Sequence, residues 1–311
     1  MHRPVAILCS GQGGQHSGMF DLFSDCPACE PVFTAASEQL GQDPRRFVRD
    51  AARADLFADK AGQILCCTKA LAAWAALGAG RPKLAVIAGY SIGELAAWGC
   101  AGIFDAPAIL GLTQRRAAAM EAVAPPGSGL AGIIGLKRDA LEPILQQHSA
   151  IIAIVNDVDS FVIGGLGDAL DACCREAIAH GATRAVRIRV ALPSHTNLLA
   201  EAAPKFRMAL REAAPQPPHP SYRLLSGIDG DTVEDVETGC DKLGRQICTT
   251  VDWAACLESC RSAGAELALE LGPGTALSRM AAPLFPEGGA RSTEEFRTVA
   301  GLHAWLSRAG N

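Results

Sequence analysis

Apolar runs of about five residues alternate along the chain with longer stretches of helical periodicity. Val5–Cys9 is the first run, and a helix-like region follows around Val32–Leu40. Ile64–Leu77 reads as a buried helix, Leu84–Ala88 as a second strand, and an alanine-rich segment begins at Ile92. Unbroken apolar runs of that length suit strands covered by helices on both faces, the habit of parallel sheets. The pattern changes after Pro125-Pro126-Gly127, a breaker cluster that marks a subdomain boundary.

From Gly129 to Val190 the alternation is shorter. Leu130–Leu136 predicts a strand and Arg138–His148 a helix. Ile151–Val155 and Phe161–Ile163 predict two strands joined by the polar turn Asn156-Asp157-Val158-Asp159-Ser160. Asp168–His180 is then a helix stopped by Gly181, and Ala185–Val190 a closing strand. On that last strand Val186, Ile188 and Val190 share one face, and Arg187 and Arg189 the other. The order β-α-β-β-α-β is the ferredoxin-like arrangement. Longer elements then resume, with Glu266–Leu271 as a buried strand ending at Gly272-Pro273-Gly274. The expected fold class is α/β. A large α/β-hydrolase-like domain with a mostly parallel sheet (1–126 and 194–311) is interrupted by a ferredoxin-like small domain (127–193).

Composition narrows the function classes. The chain has 311 residues, 49% apolar and 20% charged, enough for a sizeable core. A net charge of −5 argues against nucleic acid, whose binding needs a clustered basic excess. No uninterrupted apolar segment reaches the roughly 18–20 residues of a membrane span, and Ala70–Gly80 reads as a core helix. Val5–Cys9 is too short for the apolar part of a signal peptide, so the expected compartment is the cytoplasm and the 12 cysteines are expected to be thiols. Cys26-Pro-Ala-Cys29 lacks a second pair at zinc-ligand spacing, since Cys256 and Cys260 stand too far apart; no metal site is expected.

The sharpest chemical signal is Gly89-Tyr90-Ser91-Ile92-Gly93, a G-x-S-x-G run placed after a strand and before a helix. There the glycines permit a tight strand-to-helix turn, the serine oxygen is lifted off the backbone, and free N–H groups stand ready for an oxyanion. A serine nucleophile needs a base. Of the seven histidines, His2 is terminal, His148 and His180 lie at helix ends, and His303 sits inside a helical pattern. His195 follows Pro193-Ser194 at the re-entry to the large domain, a loop position suited to catalysis.

These residues resemble a family. Gly11-Gln12-Gly13, Gly89-Tyr90-Ser91-Ile92-Gly93-Glu94, Arg116 ahead of Met120, and Pro193-Ser194-His195 occur in the order found in malonyl-CoA:acyl-carrier-protein transacylases. Gln246 in its Gln-Ile-Cys-Thr-Thr-Val-Asp-Trp run, and Glu270-Leu271-Gly272-Pro273-Gly274, extend the likeness almost to the end of the chain. The resemblance implies a ping-pong S-malonyltransferase with no bound cofactor. Ser91 would take the malonyl group from malonyl-CoA, and His195 would act as general base, oriented by a carbonyl near Gln246. Gln12 and the Ile92 backbone N–H would form the oxyanion hole. Arg116 would hold the malonate carboxylate as a bidentate pair, although an arginine on a helix is ordinarily solvated. Gln63 and Asn156 match pocket positions. The acceptor would be the prosthetic-arm thiol of an acidic acyl carrier protein.

Three positions depart from the commonest family pattern: Tyr90, where histidine usually precedes the nucleophile, Ser194, where phenylalanine is frequent, and Ser160 in place of a usual glutamine. Tyr90 with Leu95-Ala96-Ala97-Trp98 looks like the malonyl transferase subunit of malonate decarboxylase, whose carrier bears a phosphoribosyl-dephospho-CoA arm in place of phosphopantetheine. Loading that carrier, alongside other decarboxylase subunits, is the first expectation; malonyl transfer in fatty-acid or polyketide synthesis is the alternative. An α/β serine hydrolase (thioesterase or esterase) would place its histidine near the C-terminus, where only His303 fits. A non-catalytic carrier-binding subunit would not need Ser91, His195, Gln12 and Arg116 together. Lys137, Arg138, Arg184, Arg187 and Arg189 are candidates for docking an acidic carrier, or simply a solvated face.

Overall fold

The computed structural model describes residues 3–307, so His2 and residues 308–311 of the expected large domain lie outside the described residues. Among the described residues there are ten strands: β1 (Val5–Cys9), β2 (Ala85–Gly89), β3 (Ser128–Ile134), β4 (Ile151–Asp157), β5 (Ser160–Leu166), β6 (Arg184–Arg187), β7 (Tyr222–Leu224), β8 (Val251–Asp252), β9 (Leu267–Glu270) and β10 (Ala290–Ser292). One sheet runs β10–β9–β1–β2–β7 with every pairing parallel. The unbroken apolar character of Val5–Cys9 follows from its central place. Val5, Ile7 and Cys9 enter the larger core, and Ala6 and Leu8 enter a second core on the opposite face. The fold is thus α/β, with a parallel sheet and a second sheet packed against it.

The helix Asp59–Leu77 fills the larger core and begins five residues ahead of its apolar pattern. Its polar first turn, Asp59–Gln63, escapes a hydrophobicity reading because it serves the site described below. Together with the turn to Gly80 this segment is long and apolar enough to cross a membrane, but it is packed inside the fold.

The second sheet runs β6–β3–β5–β4–β8. Its first four strands pair antiparallel, with the helices Arg138–His148 and Gly167–Ala179 on one face. The element order β-α-β-β-α-β spans Ser128 to Arg187. Alternation assigns the faces: Ala131, Ile133, Phe161 and Ile163 meet the two helices, whereas Leu130, Ile154 and Val162 pack toward Ala6, Leu8, Val86 and Ala88 of the parallel sheet. A register shift between Ile152 and Ile154 turns both Ala153 and Ile154 to that second side. Without this bulge Asn156 would fall on the helix-covered face.

Two expectations change. The fifth strand, β8, pairs parallel with β4 and comes from the segment assigned to the large domain, so the small sheet is completed from outside 127–193. The closing strand also stops at Arg187, and Val186 is 42% exposed instead of sharing a buried face with Ile188 and Val190. Beyond Arg187 the chain bends, and Ile188 and Val190 pack on the core between the sheets as the segment returns toward His195.

Candidate active site

β2 carries the chain into the Gly89–Gly93 turn, and the helix Gly93–Cys100 carries it away. Both glycines are there for lack of room. A Cβ on Gly89 would overlap the Glu94 backbone nitrogen, and one on Gly93 would overlap the Cys9 carbonyl oxygen at the end of β1. The turn is pinned by Tyr90 N–H donating to Cys9 O at 2.9 Å and by Glu94 N–H donating to Ser91 O at 3.0 Å. Ser91 is held at φ 56°, in the left-handed region that side chains avoid. His195 is held at φ 65°. Such conformations cost of order 1–3 kcal/mol each and persist where the surroundings over-determine them.

The two strained residues meet. Ser91 Oγ lies 2.8 Å from His195 Nε2, and His195 Nδ1 lies 2.6 Å from the Gln246 carbonyl oxygen. Because a carbonyl only accepts, Nδ1 carries the proton and Nε2 is left bare to accept the Ser91 hydroxyl proton. The His195 backbone N–H donates to Ile247 O at 2.7 Å, so residues 246 and 247 grip ring and main chain together. His195 is 1% exposed. Burial, reinforced by the nearby Arg116 charge, lowers its pKa from 6.5 to about 3, against the opposing pull of the Gln246 carbonyl. The imidazole is therefore neutral and proton-accepting across the physiological range.

Behind this pair lies a chain of buried polar side chains. Gln246 Nε2 donates to Ser91 O (2.9 Å) and to Glu94 Oε2 (2.7 Å), and its Oε1 accepts from Arg116 Nη2 (3.3 Å). Arg116 Nη1 donates to Gln63 Oε1 at 2.7 Å, and Gln63 Nε2 donates to Asp59 Oδ2 at 2.6 Å. Arg116 is 2% exposed. Burial lowers its proton affinity, and the nearby Asp59 and Glu94 counteract that. The carboxyls respond in kind: burial raises Asp59 to about 6, with Arg116 opposing, and raises Glu94 to about 7, with the Gly227 N–H and Gln246 opposing. A dry, partly compensated guanidinium gains strongly from any anion that reaches it.

A cavity of about 580 Å³ opens over the pair and is lined by Gln12, Ser91, Tyr90, Ser194 and His195. Its far wall is apolar, from Leu130, Ile154, Val162, Ile188 and Val190, and Arg184 and Arg279 are among its lining cations. Ser10 donates to Glu270 at 2.7 Å, and that buried carboxylate also accepts the Ser278 backbone N–H at 2.8 Å, tying the loop after β1 to the helix Ala276–Ala281.

Of the expected site residues, Gln12, Ser91 and His195 line the cavity, while Ile92, Gln63, Arg116, Asn156 and Gln246 stand behind its surface. The Gln12 side-chain amide is turned away and donates to Asp59 O at 3.3 Å, leaving its backbone N–H as the group able to meet an oxyanion. Asn156 bonds the Tyr90 side chain, and its Oδ1 is buried without a partner. Tyr90 also stands edge-on to Trp253, with ring centroids 5.4 Å apart. His303, the base a C-terminal-histidine hydrolase would use, lies in the helix Val299–Leu306 against Gly80; the imidazole at Ser91 is that of His195. His148 pairs with Glu176, and His180 caps its own helix. Of the candidate docking cations, Arg138 pairs with Glu142 and Arg187 with Asp171.

Glu94, Asp59 and Cys66 received no role from the sequence. Glu94 had a signal: it is the one charged residue in a helix that otherwise reads Gly93-Leu95-Ala96-Ala97-Trp98. Cys29, half of the Cys-x-x-Cys pair, is a core thiol donating to Ala72 O.

The pattern of the family described as Acyl transferase domain matches residues 7–237. The malonyl CoA-acyl carrier protein transacylase of Escherichia coli (strain K12) is 29% identical over 282 residues, covering 88% of this chain and 90% of that protein. The crystal structure of an acyl-carrier-protein S-malonyltransferase from Burkholderia pseudomallei 1710b superposes with a TM-score of 0.87 at 28% identity, covering 97% of this chain and 99% of the other. A malonyl-transacylase solved in complex with its type II PKS acyl-carrier protein superposes with a TM-score of 0.87 at 26% identity, over 98% of this chain and 99% of the other.

Proposed function

Since the chain belongs to the acyl transferase domain family, we propose that it is a malonyl-CoA:acyl-carrier-protein S-malonyltransferase working through a malonyl-serine intermediate. The observation that carries this reading is the Ser91–His195–Gln246 carbonyl relay, 2.8 and 2.6 Å long, set beside the buried Arg116. His195 Nε2 takes the Ser91 proton as Oγ attacks the thioester carbonyl. The backbone N–H groups of Gln12 and Ile92 receive the developing oxyanion. The intermediate then expels the CoA sulfur, which leaves with the proton held by His195. In the second half the carrier thiol passes its proton to His195 and attacks the malonyl ester; as the new intermediate collapses, Ser91 recovers its proton from His195. Arg116 holds the malonyl carboxylate throughout, with Gln63 fixing one edge of its guanidinium.

The names of the relatives favour an ordinary acyl carrier protein as acceptor, including the type II PKS kind, over the malonate decarboxylase carrier suggested by Tyr90. Arg184 and Arg279, at the cavity, suit the acidic surface of such a carrier. The free cysteines fit a reducing compartment such as the cytoplasm. The test is to incubate the enzyme with labelled malonyl-CoA, isolate the acyl-enzyme, and offer water, a phosphopantetheine carrier or the decarboxylase carrier. Rapid transfer to the phosphopantetheine carrier is expected, with no stable label on Ser91→Ala. Loss to water as fast as to any carrier would establish a hydrolase instead, and faster transfer to the decarboxylase carrier would restore that acceptor.

A further inference from the structure

Each proposed oxyanion donor belongs to a peptide group whose carbonyl points the opposite way, because all described peptide bonds are trans. The Gln12 N–H shares its plane with the Gly11 C=O, and the Ile92 N–H shares its plane with the Ser91 C=O. Both carbonyls are met from inside the protein by a buried side chain. Cys66 Sγ, 0% exposed on the helix Asp59–Leu77, donates to Gly11 O at 3.3 Å. Gln246 Nε2 donates to Ser91 O at 2.9 Å. We infer that Cys66 and the Gln246 side chain are positioning residues of the oxyanion hole, each fixing one of its two amides from behind. This rests on the reading of Gln12 and Ile92 given above.

The two devices are built differently. Gln246 has no rotational freedom, since its second N–H is taken by Glu94 and its Oε1 by Arg116. The Ser91 oxygen is also bonded by the Glu94 backbone N–H, so that peptide plane is doubly anchored. The Gly11–Gln12 plane relies on Cys66 and on the Gln12 side chain reaching Asp59. Glycines flank Gln12 in the sequence, so the loop itself supplies little stiffness. Full burial keeps the Cys66 thiol protonated, hence a donor, far above neutral pH. A bond into a carbonyl also polarises its peptide group and strengthens the opposite N–H as a donor.

The experiment measures single-turnover acylation by malonyl-CoA, with mapping of the labelled residue, for the wild type and for Cys66→Ser, Cys66→Val and Cys66→Ala. Serine keeps a donor at the same place, valine fills the space without one, and alanine removes both. The expected result is acylation slowed roughly three- to tenfold in the valine and alanine variants, the rate equivalent of one neutral hydrogen bond, with substrate affinity within about twofold of wild type. Cys66→Ser should acylate within about twofold of wild type, whatever the order of melting temperatures. Label on Ser91 with Cys66→Val at the wild-type rate, or with Cys66→Ser as slow as Cys66→Ala, overturns the inference alone. Label on a residue other than Ser91 overturns the site reading and the inference together.

Discussion

The acylation rate should be nearly indifferent to acid over the range in which an ordinary histidine base is lost. A base with a pKa of 6.5 is only about 3% neutral at pH 5, which would cut the rate about 30-fold from its plateau. His195, lowered to about 3 by burial and by Arg116, remains about 99% neutral there. The displacement corresponds to about 5 kcal/mol of preference for the neutral ring. It also enters stability with a definite sign. The unfolded chain binds a proton at His195 below pH 6.5 that the folded protein refuses until about pH 3, so this group withdraws stability as the pH falls through that window. Glu94 and Asp59 act oppositely. Their folded affinities, near pH 7 and pH 6, exceed those of the unfolded chain, so they add stability as the pH falls toward their ordinary values. The fold is therefore expected to hold at pH 5, where circular dichroism can check it.

The assay is kcat/KM for acylation, measured from pH 4.5 to 8 with the N-acetylcysteamine thioester of malonate, which lacks the phosphates of CoA. The value at pH 5 should stay within about twofold of that at pH 8. Any inflection near pH 7 that belongs to Glu94 should vanish in Glu94→Gln. In the complex the bound carboxylate offsets Arg116, so kcat should begin to fall at a higher pH than kcat/KM does. A tenfold loss per pH unit below 6.5, present in both wild type and Glu94→Gln, would refute the assignment of a buried, neutral His195.

Three further outcomes test other parts of the site and fold. Arg116→Ala should lose preference for malonyl over acetyl thioesters by about 2–5 kcal/mol, read from the ratio of kcat/KM values; unchanged selectivity would remove Arg116 from the site. Gly93→Ala should fail to give soluble, cooperatively melting protein, because its methyl group would overlap the Cys9 carbonyl, whereas Gly111→Ala, with nothing within 4 Å, should melt at or above the wild-type temperature. In native protein a thiol reagent should titrate Cys26, Cys174 and Cys248 quickly and the nine buried cysteines only after denaturant, and rapid reaction of Cys66 would contradict its burial.

What was legible in the sequence is what local sterics and face periodicity dictate. Gly89 and Gly93 had to be glycine where helix and strand backbones nearly touch, and that requirement leaves a written mark around Ser91. The strands and helices of the small domain also followed from periodicity, although the bulge at Ala153 and Ile154 breaks the alternation of faces on β4. The closing strand misled because Val186, Ile188 and Val190 alternate correctly, yet the chain bends after Arg187 to deliver His195. β8 is two residues long and takes its meaning from pairing with β4, about a hundred positions away in sequence, so no local pattern announces it. The buried network was legible only in part: the family resemblance pointed to Gln246, Arg116 and Gln63, while nothing pointed to Asp59 or to the bonds among them. Gln246, Arg116, Gln63 and Asp59 are ordinary polar residues in sequence, and only the fold brings them together out of water. Cys66 was one of many core thiols until its neighbour proved to be the Gly11 carbonyl.

Gln246 joins both halves of the chemistry through different atoms, and the two connections can be separated. Its main-chain carbonyl orients His195, and its side chain serves Ser91, Glu94 and Arg116. Gln246→Ala keeps the first and removes the second. The truncation leaves the Glu94 carboxyl one donor short and costs about 1–3 kcal/mol of stability, the penalty of an unsatisfied buried group. The Ile92 amide loses its anchored carbonyl partner, and Arg116 loses one acceptor. The His195 Nδ1 proton should still bond the residue 246 carbonyl and keep its far-downfield NMR resonance, while kcat falls by roughly ten- to a hundredfold, below the loss from deleting an oxyanion donor outright. If that resonance disappears in Gln246→Ala, the side chain is what holds the main chain in place, and the two roles are one. If the resonance and kcat both survive, the amide positions nothing, and the bond to Ser91 O is packing alone.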